Sequence, residues 1–169
     1  MFSNHQGKYD ALGIVHTHTK PCSIVMDEAR SHTILTSQVI DLVDGKRIKK
    51  DDIRQAMQII LEMAEETAKG KIFLIFPEGT RSKNGNKMLE FHSGTFKCAT
   101  KSKCTIQPFA LIDSFKVLDH NGIDTVNVQL HYLEPIPYEE YKDMNTTEIA
   151  AMVHDRVEKK IAEVELGVA

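Results

Sequence analysis

A histidine and an aspartate stand five residues apart in NHQGKYD, residues 4–10. An imidazole backed by a carboxylate makes a general base. The carboxylate fixes the ring tautomer and steadies the imidazolium once it has taken a proton. On an unbroken helix, residues five apart lie about 140° apart in projection. His5 and Asp10 therefore meet only if His5 lies in a turn and Asp10 in the first turn of a helix, and Gly7 loosens the chain enough to allow it. The plainer alternative is a surface histidine near a fraying terminus. The spacing alone leaves both readings open.

A second stretch, FPEGTRSKNG at residues 76–85, follows a run apolar on both faces. In open α/β sheets, ligands sit beyond the carboxyl ends of strands. This loop would present a glycine (Gly79), two hydroxyls (Thr80, Ser82) and a guanidinium (Arg81). Backbone amides and a planar fork of donors suit a phosphate. The competing reading is a polar surface turn in which Glu78 and Arg81 pair with each other. A third stretch, residues 91–113, opens a helix at Gly94, whose free amides suit an anion or a developing oxyanion; a simple helix start is the alternative. No nucleophile stands out: Ser93 reads as a turn serine and Cys98 as part of the core. His16 and His18 of HTHT lack an acidic or cysteine partner at metal-binding spacing, so no metal is expected.

The elements that must position these groups read as follows. Residues 34–43 fit a short helix or an extended segment. Asp51 and Asp52 open a stronger helix with Ile53, Ala56, Met57, Ile60 and Ala64 on one face, closed by Gly70. KIFLIF, residues 71–76, is a buried, parallel-type strand. Residues 94–103 form another helix. Residues 105–112 form a strand in which Pro108 argues for an edge or a bulge. TVNVQLHYL, residues 125–133, alternates as a half-exposed strand with Val126, Val128, Leu130 and Tyr132 on one face. A last helix starts at Asn145, with Glu148 placed for a capping box, and buries Ile149, Met152, Val153, Val157 and Ile161. Strands alternating with helices mean an α/β layer fold.

The chain has 169 residues, 41% hydrophobic and 27% charged, enough for one domain, residues 1–169, with one substantial core. No apolar run approaches the roughly 20 residues that span a bilayer, and the polar first residues do not resemble a secretion signal. Three cysteines, Cys22, Cys98 and Cys104, fit no zinc spacing and read as free thiols in a reducing compartment. The net charge of −3 is unevenly spread. Residues 46–103 carry 13 basic and 7 acidic side chains, whereas residues 104–169 carry 5 and 12. The middle of the chain therefore suits an anionic partner such as a phosphate, a nucleotide-bearing donor or acidic lipid head groups.

Taken together, NHQGKYD, FPEGTRS and the block at residues 91–113 occur in the order and rough spacing of the glycerolipid acyltransferases. From Ser3 to about Asp113 the chain resembles that family. The resemblance implies a glycerol-3-phosphate acyltransferase-like α/β fold, with a mixed, mostly parallel central sheet flanked by helices. It implies acyl transfer from a thioester donor, acyl-CoA or acyl-carrier protein, to the sn-2 hydroxyl of lysophosphatidic acid. Another lysophospholipid or glycerol-3-phosphate is the alternative acceptor, and a non-catalytic lipid-binding module the alternative of a different class. His5 would be the general base and Asp10 its orienting partner. Gly79, Thr80 and Arg81 would hold the acceptor's phosphate, with Glu78 as a further site residue. Lys50 would stand where the family offers an arginine, with Arg47 and Arg54 nearby. No bound cofactor, metal or nucleic acid is implied. The implied setting is peripheral, at the cytoplasmic face of the cell membrane. The family carries hydrophobic or amphipathic helices ahead of the first block. Only three residues precede Asn4 here, so this chain is expected to be the catalytic core without its membrane-associating segment.

Overall fold

The computed structural model describes residues 1–33, 36–118 and 125–167. In chain order the elements are β1 (Phe2–Ser3), α1 (Asp10–Thr17), β2 (Cys22–Asp27), α2 (Glu28–Ser31), α3 (Thr36–Leu42), β3 (Lys46–Ile48), α4 (Ile53–Ala68), β4 (Ile72–Leu74), a 3-10 turn (Ser93–Phe96) running into α5 (Lys97–Ser102), β5 (Pro108–Ile112), α6 (Phe115–Leu118), β6 (Gln129–Tyr132), α7 (Tyr138–Tyr141) and α8 (Thr146–Glu165).

The strands form two three-stranded sheets, β3-β2-β4 and β1-β5-β6. A parallel bridge between Phe2 and Ile75 joins them. Ser3 N–H donates to Ile75 O at 3.2 Å and Ile75 N–H donates to Met1 O at 2.9 Å. All pairings are parallel except β5 with β6. The result is the mixed, mostly parallel sheet expected from the sequence, with one antiparallel edge strand.

The side chains of β4 explain why its run is apolar throughout. Phe73, and Ile75 just past the strand's end, pack with Met63 of α4, Phe96, and Ile149 and Val153 of α8. Leu74 points the other way, against Ile14 of α1, Ile24 and Ile40. Both faces are covered by helices, so neither can be polar. Helix α8 begins in the expected capping box: the Asn145 side chain accepts from Thr147 and Glu148 amides, and the Glu148 side chain accepts from the Asn145 amide. Its buried Ile149, Val153, Val157 and Ile161 each contribute roughly 1.5–3 kcal/mol of burial.

Three local expectations change, and one open reading resolves. Pro108 is neither at an edge nor in a bulge: it is the first residue of β5, which lies between β1 and β6. A proline is tolerated there because a strand's first residue need not donate: Leu133 N–H donates to Pro108 O at 3.1 Å, and Gln107 Nε2 donates to Leu133 O at 2.7 Å in place of the missing amide. Ile53 is 83% exposed, because Asp52 caps α4 and the first turn stands clear of the core. The strand expected over 125–133 pairs only from Gln129 to Tyr132. The ambiguous segment 34–43 is helical from Thr36 to Leu42, and its first two residues lie outside the described ones.

Candidate active site

Because β1 to β5 run parallel, their carboxyl ends share one edge of the sheet. The segment after β1 carries His5, the one after β3 carries Lys50, the one after β4 carries residues 76–82, and the one after β5 carries Ser114. Asp27 ends β2. This is the edge where open α/β sheets bind ligands.

Asn4 starts the site by imitating backbone. Its side-chain amide donates to Leu111 O and its oxygen accepts from Leu111 N–H, both at 2.8 Å. That pairing ends β1 and turns the chain. The turn closes on Asp10, the first residue of α1, which is fully buried. Asp10 Oδ2 accepts from Gln6 N–H at 2.6 Å, and Gly7 N–H lies 3.0 Å from both carboxylate oxygens. His5 Nδ1 lies 2.7 Å from Asp10 Oδ2. Histidine in a turn and aspartate in the first helical turn is the arrangement that lets the two meet. With Nδ1–H donating to the carboxylate, Nε2 is left as the lone-pair nitrogen. The imidazole stacks on Phe76 with centroids 4.2 Å apart, and its side chain is 23% exposed.

The phosphate-type loop is bonded to this turn. Ser82 N–H donates to His5 O at 2.8 Å. His5 N–H donates to Glu78 Oε1 at 2.8 Å, and Leu89 N–H donates to Glu78 Oε2 at 3.1 Å. Glu78 is thus neither paired with a surface arginine nor turned to the open edge: it is 2% exposed, and both oxygens hold backbone amides. The correction to the sequence reading is physical. An acidic side chain inside a loop can bind its own backbone as readily as a ligand. Burial pushes its carboxyl up to about 7, against the pull of the two amides, and the nearby Asp10 carboxylate adds to the rise.

Gly79 takes a positive φ of +65°, and Thr80 and Arg81 follow it, partly exposed. Lys50 reaches the loop from β3: its ammonium donates to Gly79 O at 2.5 Å and lies 3.3 Å from Asp27 Oδ2. Arg47 turns away, to Ser31 Oγ at 3.0 Å and Asp41 at 2.6 Å. Gly94 opens no α-helix but lies inside the 3-10 turn before α5. Cys98 is buried, and burial pushes its thiol up, away from reactive thiolate.

Sequence reasoning missed Asn4, Gln6, Phe76, Asn86 and Ser114. Gln6 Nε2 donates to Asn86 Oδ1 at 2.9 Å, and Asn86 Oδ1 also accepts from Asp113 N–H at 2.9 Å. Ser114 Oγ donates to Asp10 Oδ1 at 2.6 Å. Ser114 stands two residues past the end of β5 and, like Asn86, carried no signal in the sequence.

A buried carboxylate holding an imidazole, bonded to a glycine loop that a lysine reaches, is an arrangement able to move a proton beside an anion. The acyltransferase family profile matches residues 1–112, and the chain belongs to that family. It is 26% identical over 168 residues to a 1-acyl-sn-glycerol-3-phosphate acyltransferase of Haemophilus influenzae, covering 98% of this chain and 69% of that protein. It is 27% identical to the protein of the same name from Escherichia coli, covering 99% and 68%. The fold matches the crystal structure of the 1-acyl-sn-glycerophosphate (LPA) acyltransferase PlsC from Thermotoga maritima, with a TM-score of 0.74 at 20% identity, over 97% of this chain and 65% of that one. The chain thus spans about two thirds of the length of these relatives. Among the described residues, no helix is long and apolar enough to cross a membrane.

Proposed function

We propose that residues 1–169 act as one acyltransferase unit that moves a fatty acyl group from a thioester to the sn-2 hydroxyl of lysophosphatidic acid, giving phosphatidic acid. The observation that carries this reading is the 2.7 Å contact of His5 Nδ1 with buried Asp10, in a turn bonded through Ser82 to the phosphate-type loop. The names of the relatives supply the acceptor.

His5 Nε2 takes the proton of the acceptor hydroxyl, and Asp10 steadies the imidazolium. The hydroxyl oxygen attacks the thioester carbonyl, forming the ester C–O bond. The C–S bond breaks, and the thiolate leaves with the proton that His5 returns. Gly79, Thr80 and Arg81 hold the acceptor's phosphate, and Lys50 adds charge beside Gly79 O. Glu78 acts from beneath, fixing the backbone of His5 and of the loop. Acyl-CoA or acyl-carrier protein serves as donor and nothing else need be bound. The working place is a membrane surface at its cytoplasmic face, where the amphiphilic acceptor resides.

The test is an acceptor panel with acyl-CoA and acyl-carrier protein as donors, read by thiol release and by mass of the lipid product. Phosphatidic acid formed from lysophosphatidic acid, with glycerol-3-phosphate and lysophosphatidylcholine far slower, is the expected result. Another preferred acceptor would replace the proposed one. Binding of lysophosphatidic acid vesicles with no transfer from either donor would make the protein a lipid-binding module instead.

A further inference from the structure

The reading of His5 and Asp10 as a base pair leaves one close contact without a role. Three of the groups on the Asp10 carboxylate, from His5, Gln6 and Gly7, belong to the turn that contains Asp10 itself. Ser114 comes from the far end of β5, 104 positions away in sequence, and approaches Oδ1 at 2.6 Å. Both side chains are fully buried. The hydroxyl also lies 3.1 Å from Gln6 Oε1, and Ser114 N–H donates to that same oxygen at 3.2 Å. A hydroxyl has one proton, and the shorter, charge-assisted partner is the carboxylate.

The chain is shaped to bring this hydroxyl in. Asp113 takes a left-handed φ of +63°, which for a residue with a Cβ is strained, and its amide is held by Asn86. Gly7 faces the same turn so closely that a Cβ there would lie 2.8 Å from Phe115 Cα and 3.0 Å from Ser114 O. Glycine is therefore required at position 7 for the two turns to dock.

We propose that Ser114 is a positioning residue for the His5–Asp10 pair: its hydroxyl pins Asp10 Oδ1 to the end of β5 and draws charge from the carboxylate, setting how strongly His5 holds a proton. The inference rests on the acyltransferase reading of His5. Each hydrogen bond donated to a carboxylate lowers its basicity. Loss of this one leaves Oδ1 more negative and freer to move, so the imidazole becomes both more basic and less well aimed. The ionisable groups around the pair are Glu78 after β4, Lys8 in the same turn, Arg81 beside Ser82, and Asp113 with its partner Lys116 at 2.8 Å. A substitution at position 114 removes none of them.

The experiment compares wild type with Ser114→Ala, Ser114→Thr and Ser114→Cys. The alanine variant is expected to lose roughly 10- to 100-fold in kcat, the scale of one hydrogen bond to a charged group. KM for lysophosphatidic acid should hold, and the acid limb of the kcat/KM profile should move to higher pH. Threonine, which keeps the hydroxyl, should restore both. Cysteine fills the space with a weaker donor, so it gives the same comparison where the alanine variant is unstable. The His5 imidazole, followed by NMR, should titrate at higher pH in the alanine or cysteine variant; this readout needs no turnover. Failure of wild type to acylate any acceptor sinks the functional reading, while the NMR shift still tests the coupling. An unmoved imidazole titration and pH profile, or a loss confined to KM, overturns the role of Ser114.

Discussion

The amide of Ser82 donates to the carbonyl of His5 at 2.8 Å. One backbone bond thus joins the loop that would hold the acceptor's phosphate to the residue that would deprotonate its hydroxyl. Glu78 adds a second tie, accepting from the His5 amide. Base and anion site cannot drift apart without breaking both, which is the pre-alignment that acyl transfer requires.

Glu78→Gln should be costly although Glu78 does not face the open edge. A carboxylate accepts from two amides, whereas glutamine accepts with one atom and points an NH2 group at the other N–H. A loss of about 1–3 kcal/mol is expected in denaturant unfolding, with kcat falling as His5 loosens. The pH dependence has a definite sign. The carboxyl lies at about 7 in the fold against 4.5 ordinarily. Between these values the folded protein keeps a proton that the unfolded chain has released. The contribution to stability is full below pH 4.5 and is lost as pH rises through 7. The slope of stability over that window should flatten in the glutamine variant.

Gly79→Ala tests the loop. The positive φ costs an alanine about 1–2 kcal/mol, and its Cβ would lie 3.2 Å from the His92 ring. A lower melting temperature is expected, together with a higher KM for lysophosphatidic acid, because the loop must shift to admit the methyl.

Lys50→Ala should cost little stability, since its ion pair with Asp27 and its bond to Gly79 O are both exposed, where such contacts contribute about 0–1 kcal/mol. KM for the phosphorylated acceptor should rise several-fold at low salt and less at high salt, where charge attraction is screened. Lys50→Arg, which keeps the charge, should restore most of the affinity. An unchanged KM in the alanine variant would remove Lys50 from the phosphate site.

Much of this site was legible because its residues are constrained locally. Gly7 and the glycine, hydroxyls and guanidinium of residues 79–82 announce turns and charge, while the spacing of His5 and Asp10 left their meeting open until the blocks were read together as a family resemblance. The apolar run of β4 and the capping box of α8 were equally plain, since each follows from covering two faces or satisfying a helix end. What escaped depends on distant pairing. Pro108 suggested an edge because the sequence does not say which neighbour's amide supplies the missing bond. Strand β2 was not anticipated, its CSIVMD carrying neither clean alternation nor a long apolar run. Glu78 carries the same letters whether it faces a ligand or folds under its own loop. Ser114 belongs to no spacing pattern at all: its role exists only once β5 lies beside β1.

The most direct measurement is thiol release from a thioester donor with lysophosphatidic acid, comparing wild type and His5→Ala under identical conditions. The account predicts transfer by wild type and a fall of about 100- to 10 000-fold in the variant, with circular dichroism and melting temperature little changed. A folded His5→Ala protein that transfers acyl groups at the wild-type rate would contradict it.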